Sequence, residues 1–224
     1  MVNMEIDKIL TEEDTVYTGQ KRLEIFSPDI VDKFYENGKI SCKSLNIDLK
    51  PNEFFVGKYQ NKSMIGVEKN GNIEHLETRI EQMCSVNARN KEQKFALELL
   101  SRSDIPLVTL TGRAGSGKTF LTLMAALSGL QEKKYERLVI TRTLQSVGKD
   151  IGYLPGDIND KVDPWMGAIT DNVRHAFKDL TYFSLMKEKG IIEITPLAFI
   201  RGRTFNNTFL IVDEAQNSTI HELK

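Results

Sequence analysis

The chain has 224 residues, 40% hydrophobic and 27% charged, which suits a packed domain plus a smaller one and excludes global disorder. Its formal net charge is −1, and its two cysteines, Cys42 and Cys84, have neither CxxC spacing nor a nearby histidine cluster, so a disulfide framework or a zinc site is not expected. No apolar run approaches the roughly 18 residues that span a bilayer, and the N-terminus lacks the basic-then-apolar order of a secretory signal, so the protein is expected to be soluble, cytoplasmic and without a membrane partner.

Residues 1–19 show no clear pattern and are expected to form a poorly ordered tail. Ser27-Pro28-Asp29 followed by Ile30–Glu36 predicts a short helix with proline in its first turn. Alternating runs at Leu45–Leu49, Glu53–Tyr59 and Met64–Glu68 predict strands, separated by turn chemistry at Lys50-Pro51-Asn52 and Lys69-Asn70-Gly71-Asn72. Residues 20–85 therefore form a small mixed β module.

The texture changes near residue 85. Gln93–Leu100 predicts a helix, Leu107–Thr111 a strand, Lys118–Leu130 a helix and Arg137–Thr141 a strand. A loop rich in glycine and proline leads to a predicted helix over Lys161–Phe177, and apolar strands follow at Ile191–Thr195 and Thr208–Val212. Strand alternating with helix makes residues 86–224 an α/β domain, a parallel sheet with flanking helices. This part is mildly basic: residues 1–86 hold 15 acids and 11 bases, the remainder 16 and 19. That balance permits a phosphate-backbone partner without requiring one.

Three motifs carry chemistry. Gly112-Arg113-Ala114-Gly115-Ser116-Gly117-Lys118-Thr119 fits G-x-x-x-x-G-K-[ST] completely and lies between an apolar strand and an apolar helix, the setting of a P-loop. Its glycines let the backbone curl close to phosphate, and its N–H groups with the helix N-terminus form an anion nest. Lys118 would reach the β- and γ-phosphates, and the Thr119 hydroxyl would hold Mg²⁺. Next, Phe209–Val212 end in Asp213-Glu214-Ala215-Gln216, a buried strand delivering acids to the carboxyl edge of the sheet. Asp213 would hold Mg²⁺ directly or through water, Glu214 would orient and deprotonate the attacking water, and Gln216 would sense the γ-phosphate or that water. Finally, Asn90-Lys91-Glu92-Gln93 is either a polar helix start capped by Asn90 or a glutamine that reads the adenine edge. Arg201-Gly202-Arg203 precedes the acidic strand, and its arginines are a solvated loop, a nucleic-acid phosphate contact or a finger acting on a neighbouring subunit.

The segment Gly148-Lys149-Asp150-Ile151-Gly152-Tyr153-Leu154-Pro155-Gly156-Asp157, then Lys161 and Asp163-Pro164-Trp165-Met166, resembles the loop after the second core strand of the PhoH family. Thr141-Arg142 resembles that family's version of helicase motif Ia, and Asn90–Gln93 the Q motif of superfamily 1 helicases. Ile192-Glu193-Ile194 with Pro196–Phe205, and Asp213-Glu214-Ala215-Gln216-Asn217, are similar to further PhoH signatures, so the resemblance covers roughly residues 90–224. It implies a RecA-like P-loop NTPase fold, ATP and Mg²⁺ as ligands, and ATP hydrolysis coupled to unwinding of single-stranded nucleic acid, RNA first. P-loop ATPases often assemble as rings, so a homo-oligomer, such as a hexamer, is the expected state. Residues 20–85 resemble the connector that follows a PIN ribonuclease domain in fused members, through Asn52-Glu53-Phe54-Phe55-Val56. The residues before Gln20 are too few for that domain, so RNA cleavage is not expected. Thr219-Ile220-His221-Glu222 has capping-box spacing and starts a helix that Lys224 cuts short. Helicase-like cores continue with a sensor strand and further arginines, so binding is expected to survive better than turnover. The competing activities are a small-molecule kinase, which would need a lid richer in arginine, and an ATP-switched assembly module.

Overall fold

The computed structural model describes residues 2–3, 17–25, 27–76, 86–142, 167, 169–172, 174 and 181–221. They divide into two compact units. One takes in the described residues up to 76 and residues 87–118; the other takes in Val86 and the described residues from 119 onward.

The first unit contains, in chain order, β1 (Val2–Asn3), β2 (Gln20–Glu24), α1 (Pro28–Asn37), β3 (Lys39–Ser41), β4 (Phe54–Tyr59), β5 (Lys62–Lys69), β6 (Asn72–His75), α2 (Lys91–Ser101) and β7 (Leu110–Thr111). Its main sheet has the order β2-β4-β5-β6-β3. β4, β5 and β6 form antiparallel hairpins, and β2 runs parallel to β4 with Gln20 opposite Phe54. The β5–β6 turn is Asn70-Gly71, both at positive φ (52° and 79°), the backbone that a two-residue hairpin with the right twist demands.

Successive strand residues point to opposite faces, and neighbours Phe54 and Phe55 show it. Phe55 joins Ile25, Val31, Phe34, Met64 and Ile73 in the core that includes α1. Phe54 stacks instead on Phe95 of α2, with ring centroids 4.1 Å apart and planes 11° from parallel. The sheet is thus covered by α1 on one face and α2 on the other.

The strand expected over Leu45–Leu49 is absent. Lys43–Leu45 form a 3-10 turn, Asn46 sits at φ 50°, and the Ile47 N–H donates back to the Cys42 carbonyl at 3.1 Å. Leu45, Ile47 and Leu49 are partly buried against the core, so their alternation records packing of an irregular segment and not a ladder. The strand expected over Leu107–Thr111 shrinks to β7, which pairs in parallel with β1, within the segment expected to be a poorly ordered tail. Pro106 has no N–H to give, and Leu107 is 77% exposed.

The second unit contains most of α3 (Lys118–Gln131), then β8 (Arg137–Arg142), α4 (Thr181–Glu188), β9 (Ile192–Pro196) and β10 (Thr208–Asp213). The strands form a parallel sheet in the order β10-β8-β9. Central β8 buries Leu138, Val139, Ile140 and Thr141, the run of consecutive buried residues expected where both faces are covered. α3 is buried almost all round from Leu121 to Leu130, as its near-continuous apolar sequence demands. α4 has no counterpart among the predicted elements. Within the helix predicted over Lys161–Phe177, the described residues Gly167, Ile169–Asn172 and Arg174 are helical, and the others lie outside the described residues. So do the segment Gly148–Met166, Cys84, His175 and Glu222. Among the described residues, no helix is long and apolar enough to cross a membrane.

Candidate nucleotide-binding site

The glycine-rich loop joins β7 to α3. Arg113, Ala114 and Gly115 are exposed at its tip, whereas Gly112, Ser116, Gly117 and Lys118 are half-buried. Gly117 adopts φ 90°, and a Cβ there would lie 3.3 Å from Nε2 of Gln93. Both its backbone conformation and its neighbour therefore favour glycine. Lys118 folds over the loop: its Nζ donates to the carbonyls of Gly112 at 2.7 Å and Arg113 at 2.9 Å. The ammonium is thus held above the backbone curl, and a phosphate oxygen could replace these carbonyls.

Gln93 sits in the first turn of α2. The N-cap is Asn90, whose Oδ1 accepts the Gln93 N–H at 2.8 Å. The Gln93 carboxamide accepts from the Arg89 N–H at 2.8 Å and donates from Nε2 to the Ser116 carbonyl at 3.1 Å. The helix start and the loop are therefore tied together by one side chain. Its oxygen keeps a second lone pair and its nitrogen a second hydrogen.

In the second unit, Thr119 is the second residue of α3. Its Oγ1 donates to Oδ1 of Asp213 at 3.0 Å, across 94 positions of sequence. Asp213 closes β10, and the guanidinium of Arg142, which closes β8, lies 3.9 Å from the other carboxylate oxygen. Register explains this meeting: Arg142 and Asp213 are paired across a parallel ladder, so both side chains leave the same carboxyl edge. Arg142 belongs to the pair Thr141-Arg142 that resembles motif Ia, but the sequence assigns it no partner, and only the fold sets it beside Asp213.

Directly after Asp213, Glu214 takes φ 52° and ψ 38°, a left-handed conformation that costs a non-glycine residue about 1–3 kcal/mol. A 3-10 turn over Ala215–Asn217 follows, and Gln216 donates from Nε2 to the Glu214 carboxylate. The backbone reversal thus turns Glu214 and Gln216 toward each other at the strand end.

The two loop arginines part company. Arg203 forms a two-point ion pair with Glu193 of β9, at 2.6 and 2.8 Å, and its guanidinium also lies 5.1 Å from the Phe205 ring centroid. Those hydrogen bonds hold the Glu193 carboxyl below its usual range, against the opposing effect of partial burial. Arg201 is exposed and donates to His221 Nε2 at 3.1 Å.

The oxygen set suits a hard divalent cation. Mg²⁺ in phosphate sites takes one or two protein oxygens and fills the rest with water and phosphate. Thr119 Oγ1 and Asp213 Oδ1, already 3.0 Å apart, are such a pair. Among the described residues no group of three or more His, Cys, Asp or Glu offers a dedicated metal cage.

A glycine-rich curl between strand and helix, its lysine lying over the loop, and a hydroxyl bound to an acid at a parallel strand's end define a nucleotide-binding P-loop protein. A family model described as PhoH-like protein matches residues 85–224, and the chain belongs to that family. It is 39% identical to Protein PhoH2 of Bacillus subtilis (strain 168) over 225 residues, covering 96% of this chain and 51% of the relative. A PhoH-like protein of the same organism is 34% identical, covering 71% of this chain and 51% of its own length. One from Synechocystis sp. is 39% identical, covering 62% and 42%. The chain thus spans about half the length of these curated relatives.

Proposed function

We propose that the protein is a cytoplasmic Mg²⁺-dependent ATPase that couples hydrolysis to remodelling of single-stranded nucleic acid, RNA first, as a homo-oligomer. The observation that carries the ATPase part is the 3.0 Å bond from Thr119 to Asp213, which places a P-loop hydroxyl against an acid 94 residues away. Loop N–H groups and Lys118 bind the β- and γ-phosphates, the latter by exchanging the Gly112 and Arg113 carbonyls for phosphate oxygens. Gln93 offers its remaining donor and acceptor to adenine. Glu214 orients a water and takes its proton as the water oxygen bonds to the γ-phosphorus; the bond to the bridging oxygen breaks, releasing ADP and phosphate. Gln216 fixes the Glu214 carboxylate for that task. Mg²⁺ held by Thr119 and Asp213 would neutralise charge on the phosphate oxygens.

Arg201 is the better candidate for a phosphate of nucleic acid or of a neighbour's ATP, because Arg203 is already committed to a carboxylate. The test is phosphate release with and without single-stranded RNA. Wild type should release phosphate and RNA should accelerate it, while Lys118→Ala should lose roughly 100-fold or more in rate. Equal rates in wild type and Lys118→Ala would sink the ATPase; indifference to RNA would sink the coupling.

A further inference from the structure

We propose that the β module is a positioning device for the nucleotide loop, with α2 as the lever: Phe95 and Glu98 seat the helix, and Gln93 passes its position to Ser116. The proposal rests on the nucleotide-binding role of the loop.

The sheet face that covers α2 can be derived from register. Arg22 is opposite Val56, and Phe54 is opposite Val67, so Arg22, Phe54, Val56, Val67 and Lys69 share one face. Three of these, from three strands, reach α2. Arg22 pairs with Glu92 at 3.7 Å, Phe54 stacks on Phe95 at 4.1 Å, and Lys69 Nζ donates to Glu98 Oε1 at 3.4 Å. Glu92, Phe95 and Glu98 are spaced by three and lie along one side of the helix. Gln93, one residue round from Glu92, carries the bond to Ser116.

The contacts are not equal. Arg22 is 60% exposed, so its pair with Glu92 is screened and contributes little. Glu98 is fully buried, and Lys69 beside it is 19% exposed. A buried carboxylate is held in place by its ionic and hydrogen-bonded partners, because moving away leaves charge unsatisfied. The Phe54–Phe95 stack adds a rigid, fully buried aromatic contact one turn earlier. A charge pair and a ring stack resist both sliding and rotation of α2. At its other end the helix offers the loop a carboxamide whose reach is short and directional. A shift of α2 therefore moves or breaks the bond to Ser116, which precedes Gly117 and the phosphate-binding Lys118. Phe54, Lys69, Phe95 and Glu98 are positioning residues, since none needs to touch nucleotide.

The test uses the whole chain with Lys69→Met and Phe54→Leu, each alone and combined with Gln93→Ala, and with Lys69→Arg as the conservative variant. Two readouts are taken: amide hydrogen exchange at residues 112–118 without nucleotide, and the dissociation constant for a fluorescent ATP analogue with Mg²⁺. Lys69→Met and Phe54→Leu should speed exchange in the loop and weaken nucleotide binding about fivefold. Lys69→Arg should restore most of both. In the Gln93→Ala background the same changes should weaken binding by less than about twofold, because the link to Ser116 is already cut. Equal weakening with and without Gln93→Ala would overturn the proposal, as would exchange changes confined to β5 and α2. If wild type binds no nucleotide yet loop exchange responds, the proposed activity fails and the linkage stands. If wild type binds and the loop is indifferent, the linkage alone fails.

Discussion

At Asp213 one carboxylate serves two neighbours, with Oδ1 accepting from the Thr119 hydroxyl and Oδ2 facing the Arg142 guanidinium. Substituting Asp213→Asn keeps an oxygen for Thr119 but removes the charge that holds Arg142 and would hold Mg²⁺. Phosphate release should fall roughly 100-fold at saturating Mg²⁺, while the fold is retained. A magnesium titration of the rate checks this; wild-type turnover by the variant would remove Asp213 from the metal site. Glu214 shows the same economy. Its left-handed backbone is strained, yet it brings the carboxylate onto Gln216 immediately beyond Asp213.

Among the elements, α2 is buried over most of its second half. Residues Phe95 to Leu100 are all buried, including Glu98, so the helix is held by packing on every side and not by one apolar stripe. Truncating Phe95→Ala removes a buried ring stacked on Phe54 and should cost about 3–5 kcal/mol, read as a lower denaturant midpoint at unchanged slope. A stability within error of wild type would show that the stack contributes no packing energy. The segment after β9 is held more weakly. Both side chains of the Arg203–Glu193 pair are 35% exposed, so screening limits it to about 1 kcal/mol at neutral pH. Glu193 has its carboxyl pKa lowered in the folded state by the Arg203 hydrogen bonds. The stability it adds is therefore present above the ordinary carboxylate pKa and is lost as pH falls through the lowered one. The difference in thermal midpoint between wild type and Glu193→Gln should be constant from neutral pH to about pH 5 and vanish at lower pH. A difference that grows on acidification would contradict the pairing.

For the molecule as a whole, the proposed nucleotide binding would be read as a gain in stability. A ligand that binds only the folded state stabilises it by RT ln(1 + [L]/Kd), about 2.7 kcal/mol at a hundredfold excess over Kd. For a chain of this size that corresponds to roughly 5–10 °C in midpoint. Mg²⁺ with ATP should produce this shift in wild type and leave Lys118→Ala nearly unmoved, as a thermal melt would show. A shift of equal size in both would mean that nucleotide binds elsewhere.

Legibility followed the range of the interaction. The loop Gly112–Thr119, the helix beginning at Pro28, the Asn90 cap and the turn at Asn70-Gly71 are all written locally, because backbone conformation and capping depend on residues within a few positions. Leu45–Leu49 misled because alternation arises wherever a chain lies on a core, and pairing was the missing condition. Leu107–Thr111 has strand composition, but among the described residues only Leu110 and Thr111 find a ladder partner, in Val2 and Asn3. The bond from Gln93 to Ser116, the seating of Glu98 by Lys69 and the approach of Arg142 to Asp213 had no sequence signature. From sequence alone came the nucleotide loop, the acidic strand and the α/β pattern, since steric rules and hydrophobic periodicity act along the chain. Tertiary structure alone decided which arginine lies beside Asp213 and which side chain of α2 bonds the loop. Those choices are set by strand register and by the path of the chain between distant residues, which no local rule specifies.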